Sequence, residues 1–244
     1  MRKRNCLMLI CLLLLGTVVG CGQAPPPQPT APPQPTATRR PTATTRPTAT
    51  PPPTATTRPT ATSQPRPTPI PGWEKFEGGG AELWLPASYE GGDIAEDVEV
   101  IVENLRRLGP DYEQMAQMIE QNPSMYAIWA FDSEVGDSGF LTNVAVTTEK
   151  VLSAVTLDAY LDAATKQLPA QFQVIKRDII ALTDYEAGRL VLEFAISGVA
   201  GKEVLYVVKD GNTMWVITFA TALEEFAQRL PVFEQSALSF AVQP

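Results

Sequence analysis

The chain has 244 residues, a formal net charge of −8 and no histidine. The missing histidine excludes Ser-His-Asp and Cys-His catalysis, histidine-ligated zinc and imidazole proton shuttles. All 27 acidic residues lie after Gly72 together with 11 of the 19 basic ones, so that part carries −16 and repels nucleic acid and anionic lipid.

The chain opens on Met1-Arg2-Lys3-Arg4, an apolar run from Cys6 to Val19, and then Gly20-Cys21-Gly22. A basic start, a short hydrophobic stretch and small residues at its end form a secretory signal. The run is shorter than the roughly 20 residues that span a bilayer. Val18-Val19-Gly20-Cys21 resembles the lipobox of bacterial lipoproteins, which implies cleavage after residue 20 and acylation of Cys21 as the new N-terminus. Two or more chains at about 0.8 kcal/mol per buried methylene anchor stably, where one is marginal. The expected location is the extracytoplasmic face of a cell membrane, held by lipid. Cys6, Cys11 and Cys21 are the only cysteines. Cleavage leaves one, consumed by lipid, so no disulfide supports the mature fold.

Residues 21–72 form the expected linker. Seventeen of the 23 prolines fall between Gln23 and Pro71, and PTATTRPTAT at 41–50 repeats at 53–62. A tract of Pro, Thr, Ala and Arg with no aromatic or acidic residue buries too little apolar surface to offset chain entropy. It is expected to stay unfolded with polyproline II character, and at about 3.1 Å per residue it spans at most roughly 160 Å.

Residues 73–244 are expected to form one globular domain. Phe76 and Ala81–Leu85 suggest one short strand interrupted by Gly78-Gly79-Gly80. Asp93, with Glu96 three residues on, starts a helix whose inner face is Ile94, Val98, Ile101, Leu105 and Leu108. Gly109-Pro110 stops it, and a second helix runs from Asp111 to Gln121. Strands are expected at Met125–Phe131 and Phe140–Thr148, and a helix from Thr156 to Pro169. Four strands follow: Phe172–Leu182, Ala187–Ser197, Glu203–Lys209 and, after an Asp210-Gly211 turn, Thr213–Ala220. The last two are apolar on both faces, so they must be covered on both sides. A final helix covers Ala222–Leu238, with Pro231 expected to kink or split it. The fold class is α+β: an antiparallel sheet of about six strands between helical layers.

Trp73, Leu83-Trp84-Leu85-Pro86, Thr156-Leu157-Asp158-Ala159-Tyr160, Tyr185-Glu186-Ala187-Gly188-Arg189-Leu190, Thr213–Ala220 and Ser239-Phe240 occur in that order. This series resembles the PsbP-like family of extrinsic and lipoprotein domains, related in fold to a eukaryotic Ran-release factor. The resemblance implies an α/β/α sandwich that acts by association rather than catalysis; separately, the complete set of amphipathic helices and two-sided strands leads us to expect no cofactor. The helix pair Asp93–Gln121 exceeds the connection the family usually has there.

No GxxxxGK, GxGxxG or GxSxG motif is present. Asp132, Glu134 and Asp137 place three carboxylates in one loop, where calcium is possible in principle but a solvated turn is simpler. The leading expectation is a non-enzymatic, membrane-anchored binding or assembly module with an envelope protein as partner. Alternatives are a carrier of a small apolar ligand or a hydrolase using paired carboxylates. The partner surface is placed on the polar face of the inserted helix pair, at Glu99, Glu103, Arg106 and Arg107.

Overall fold

The computed structural model describes residues 69–243, Ser197 excepted. The expected signal peptide at 1–20, the expected acylation site Cys21 and the expected linker as far as residue 68 lie outside the described residues. A hairpin opens the domain: β1 (Trp73–Gly78) and β2 (Ala81–Pro86) pair antiparallel, with Gly78 opposite Ala81. The glycine run therefore does not interrupt one strand. Gly79 and Gly80, at φ 56° and 88°, make the two-residue turn, a backbone sign that only glycine adopts freely.

β3 (Tyr89–Asp93) follows and leads directly into α1 (Ile94–Leu108). Asp93 caps α1 through its side chain, accepting from the Ala95 amide at 2.8 Å, and its other oxygen accepts from Gly79 at 3.3 Å. One carboxylate thus ties the opening hairpin to the helix start. Asp93→Ala is expected to lower the unfolding free energy by about 1 kcal/mol, read from urea denaturation; an unchanged midpoint would show the cap to be idle.

A 3-10 turn at Pro110–Tyr112 precedes α2 (Glu113–Gln121), and a second at Pro123–Met125 delays β4 to Ile128–Asp132. Then come β5 (Asn143–Lys150), α3 (Leu157–Gln167), β6 (Phe172–Leu182), β7 (Tyr185–Ile196), β8 (Val199–Asp210), β9 (Thr213–Ala222), α4 (Phe226–Leu238) and β10 (Ala241–Val242). Thr156 caps α3, accepting from the Ala159 amide at 3.2 Å. Asp210 pairs with Thr213, so the hairpin turn is Gly211-Asn212, one residue later than the Asp-Gly pair suggests. The last helix starts later than expected because β9 continues to Ala222. Pro231 does not split α4, which stays one helix with Phe226 and Phe233 anchored in the core on either side of it.

The main sheet has seven antiparallel strands in the order β3-β4-β5-β9-β8-β7-β6. From β5 the chain crosses one face as α3 to the far edge at β6. The meander β6-β7-β8-β9 then returns until β9 pairs with β5 along Asn143–Lys150. A second sheet, β1-β2-β10, joins α4 on the opposite face.

Both faces are covered, as the two-sided strands require. On one side Val204, Tyr206, Val208, Ile217 and Phe219 meet α4 and the small sheet. Phe219 stacks on Phe233 at 4.9 Å between centroids and 19° between planes. On the other side Leu205, Val207 and Met214 meet Leu157 and Leu161 of α3, while Trp129 and Phe131 meet Ile101, Leu105 and Ile119 of α1 and α2. Each such side chain contributes about 1.5–3 kcal/mol when fully buried. Among the described residues no helix is long and apolar enough to cross a membrane.

Candidate functional site

A groove of about 690 Å³ opens where the β4–β5 loop meets the start of α4, with Pro86, Ser88 and Tyr89 along one wall. Its position follows from the topology. β4 ends at Asp132, the loop 133–142 must return to β5, and α4 begins directly after β9, the neighbour of β5.

Arg229 holds this region together. It donates to Asp132 (Nη1 to Oδ2, 2.5 Å) and to Glu225 one turn earlier (Nε to Oε2, 3.0 Å). Asp132 lies 5% exposed, and its second oxygen accepts from the Glu134 amide at 3.1 Å, closing a turn within the loop. Glu225 also accepts from the Ser138 hydroxyl at 2.5 Å, while Ser138 accepts from the Phe140 amide. At the loop's start Ser133 donates twice to the Ser88 carbonyl, at 3.0 and 2.8 Å. Tyr89, buried opposite Asp132, has its hydroxyl pushed well above the ordinary tyrosine range by burial, and the Asp132 carboxylate adds to this.

The floor is apolar at Tyr89 and Phe233, and the mouth is acidic: Glu134, Asp137 and Glu224 are exposed there. Leu223 and Val135, neighbours of these carboxylates in the chain, are exposed large apolar residues at 40% and 37%. Five lining carboxylates face one guanidinium. A groove with a satisfied polar base and a mixed acidic and apolar rim can seat a segment bearing positive charge and apolar side chains. Its two most buried carboxylates, Asp132 and Glu225, share Arg229 as their partner.

The loop carboxylates weighed as calcium ligands do not form a metal cage. Among the described residues no three carboxylates stand together as a metal cage, and Asp132 is committed to Arg229. The space between the sheet and α4, where an apolar ligand would sit, is filled by Trp215, Phe219, Phe233 and Phe240.

The surface expected on α1 is divided by the structure. Arg106 turns to α2, bonding Glu113 at 3.2 Å and Glu120 at 2.9 Å, and so joins the two helices. Arg107 donates to Asn104 at 2.8 Å and lies 3.9 Å from Glu103, both of that pair strongly exposed. Glu99 is exposed, as is Val100 beside it at 58%.

Sequence reasoning did not find Arg229, Glu225 or Ser138. The Glu225–Arg229 spacing of four is a weak helix-pair signal, and nothing local ties it to Asp132, 97 residues away.

No protein-family profile matches the chain, and no curated protein matches it. Among solved structures it is similar to the cyanobacterial PsbP of Synechocystis sp. (TM-score 0.44, 13% identity), covering 71% of this chain and 94% of that one. It is similar to LpqN of Mycobacterium tuberculosis, which is involved in cell envelope biogenesis (TM-score 0.45, 11% identity, 67% and 83% covered). It is also similar to the Ran-binding protein Mog1p of Saccharomyces cerevisiae (TM-score 0.43, 10% identity, 70% and 95% covered).

Proposed function

We propose that the chain is a lipid-anchored envelope protein whose domain binds a partner protein and performs no chemistry of its own. The observation that carries this reading is the groove beside Arg229. Its inner polar groups are bonded to one another, while Val135, Leu223 and the carboxylates Glu134, Asp137 and Glu224 are left to solvent. Binding uses such an outward rim; acid–base catalysis would use the inner carboxylates, which Arg229 occupies. The lipobox at Cys21 anchors the chain, and the proline-rich linker sets the domain's reach from the membrane. The partner is an envelope protein offering basic and apolar residues, because a domain of −16 disfavours nucleic acid. Glu99, Glu103 and Arg107, around the exposed Val100, are a second surface for the same class of partner, with Arg106 serving α2.

The test uses the full chain in its native envelope. Cys21→Ser is expected to release it from the membrane fraction. A photo-crosslinker at Val135 is expected to capture a defined protein that one at Leu152, 77% exposed and away from the groove, does not. Glu134→Lys with Asp137→Lys reverses two rim charges worth up to about 1 kcal/mol each, and capture should fall several-fold with a marked salt dependence. Equal capture from both positions would end the groove reading, and a membrane-bound Cys21→Ser chain would end the anchor.

A further inference from the structure

We infer that the free edge of the main sheet, β6, pairs antiparallel with β6 of a second copy of this chain, about a two-fold axis at Arg177. β6 is the end strand of the seven-stranded sheet, bonded to β7 on one side and to no described strand on the other. It runs eleven residues, and it carries three of the domain's exposed large apolar side chains: Val174 at 38%, Ile175 at 44% and Ile179 at 43%. A long apolar edge invites pairing with any strand, and proteins guard against this with bulges and charges. Both devices are here: the register shifts between Val174 and Lys176, and Lys176-Arg177-Asp178 occupies the middle. The order of the guarding charges selects the partner.

Read from its centre, the segment Lys176-Arg177-Asp178 is self-complementary in an antiparallel pairing, with apolar residues on either side. With Arg177 on the axis, Lys176 meets Asp178 of the second copy, and the register shift at Val174–Lys176 ends the regular ladder there, bringing the apolar Val174-Ile175 bulge beside Ile179 of the mate. The Lys176–Asp178 contact forms twice by symmetry, as an isologous interface requires. A two-fold axis normal to the sheet keeps each face continuous, so allowed registers differ by steps of two residues. One step either way sets Asp178 against Asp178 or Lys176 against Lys176, and charge against isoleucine in both cases. Like charges directly opposite one another destabilise a pair.

The one like-charge contact left is Arg177 with its symmetry mate. Each Arg177 is already neutralised within its own copy, by Asp158 at 2.6 Å and Asp162 at 2.9 Å on α3, and its guanidinium is drawn to that helix. Lys176, half exposed and 3.2 Å from Asp178 along its own strand, exchanges that contact for Asp178 of the second copy, a carboxylate that Arg189 of its own copy also holds at 2.7 Å. The pairing makes one continuous sheet of fourteen strands and covers the exposed isoleucines.

The test is sedimentation velocity on the full chain in mild detergent, from about 1 to 100 µM. A monomer–dimer equilibrium is expected. Lys176→Glu sets Glu against Asp twice, and the dissociation constant should rise about tenfold or more while the far-ultraviolet circular dichroism stays that of the folded chain. Hydrogen exchange supplies a readout without substitution: protection that increases with concentration should be confined to amides of β6. A monomer throughout the range would overturn the proposal. So would a dimer that Lys176→Glu does not weaken, or concentration-dependent protection located elsewhere.

Discussion

Glu203→Met is expected to raise the unfolding free energy at pH 8 by several kcal/mol, and Glu203→Gln to flatten the loss of stability expected of the unaltered chain between pH 5 and 8. Glu203 sits on β8 between Leu192 of β7 and Ala220 of β9, 1% exposed, and neither carboxyl oxygen has a hydrogen-bond partner. Burial alone pushes its carboxyl from 4.5 to about 8. The neighbours that register places beside it are Leu192, Ala220 and, beyond Ala220, Asn143 on β5; none carries charge. The sign follows from which state holds the proton. Below about pH 4.5 both folded and unfolded chains hold it, and the full stability is present. From there to about pH 8 the unfolded chain has released it and the folded one has not, so stability falls as pH rises through the folded value. Above that the folded carboxyl ionises too and the loss levels off. At about 1.4 kcal/mol per pH unit the window is worth roughly 4–5 kcal/mol. Glutamine keeps the shape and removes the titration, isolating the pH slope. Methionine also removes the unpaired polar group, so it should gain in absolute stability. Denaturant unfolding at pH 5 and pH 8 gives both numbers. Parallel pH profiles for the unaltered chain and Glu203→Gln would show that the carboxyl is solvated after all; general self-repulsion of the acidic domain is common to both and cancels.

Glu203 also marks where sequence reasoning stops. Val204–Val208 announces a strand buried on both faces, and the structure bears this out because the pattern needs only the alternation of side chains. The helix starts at Asp93 and Thr156 were legible for the same reason: a cap is chemistry within three residues. A charged residue one place before an apolar run, though, reads as the solvated end of a strand. Only pairing with β7 and β9 carries β8 back to Val199 and puts Glu203 inside.

β3 was missed for a related reason. Tyr89-Glu90-Gly91-Gly92-Asp93 has little β-propensity, and it is a strand because β4 pairs with it. At Gly91, φ is 147° and a Cβ would lie 2.2 Å from the Trp129 carbonyl oxygen, so the neighbouring strand dictates glycine. The expectation of about six strands became seven in the main sheet through this element. The three-stranded sheet arose from a glycine turn and from β10, two residues long with almost no pattern to read. The groove was the least legible part. Its loop was noticed for its carboxylates, but the sequence held no sign that Asp132 answers to an arginine on the last helix.

Arg229→Met is expected to cost about 3–5 kcal/mol, far more than an exposed ion pair would. The arginine side chain is 22% exposed and that of Asp132 only 7%, so deletion leaves a buried carboxylate without its counter-charge and sets Glu225 near it. Arg229→Lys keeps the charge but cannot fork to Asp132 and Glu225 together, and it should fall between the two. Asp132→Asn combined with Arg229→Met removes both charges; it should recover much of the loss, a non-additivity that identifies the pair as the cause. Urea unfolding of the unaltered chain, Asp132→Asn, Arg229→Met and the double variant measures the coupling. Additive losses would mean that Arg229 acts through packing alone. A local readout separates fold from groove: amides of Ser133–Gly139 should exchange faster in Arg229→Met than the core of β8 and β9 does, since the loop reaches α4 through Glu225, whose own orientation Arg229 sets. If Val135 crosslinking then falls while the β8 and β9 amides stay protected, the partner recognises the groove as Arg229 shapes it and not the acidity of the loop. Undiminished crosslinking in that chain would put the recognition in the exposed carboxylates alone.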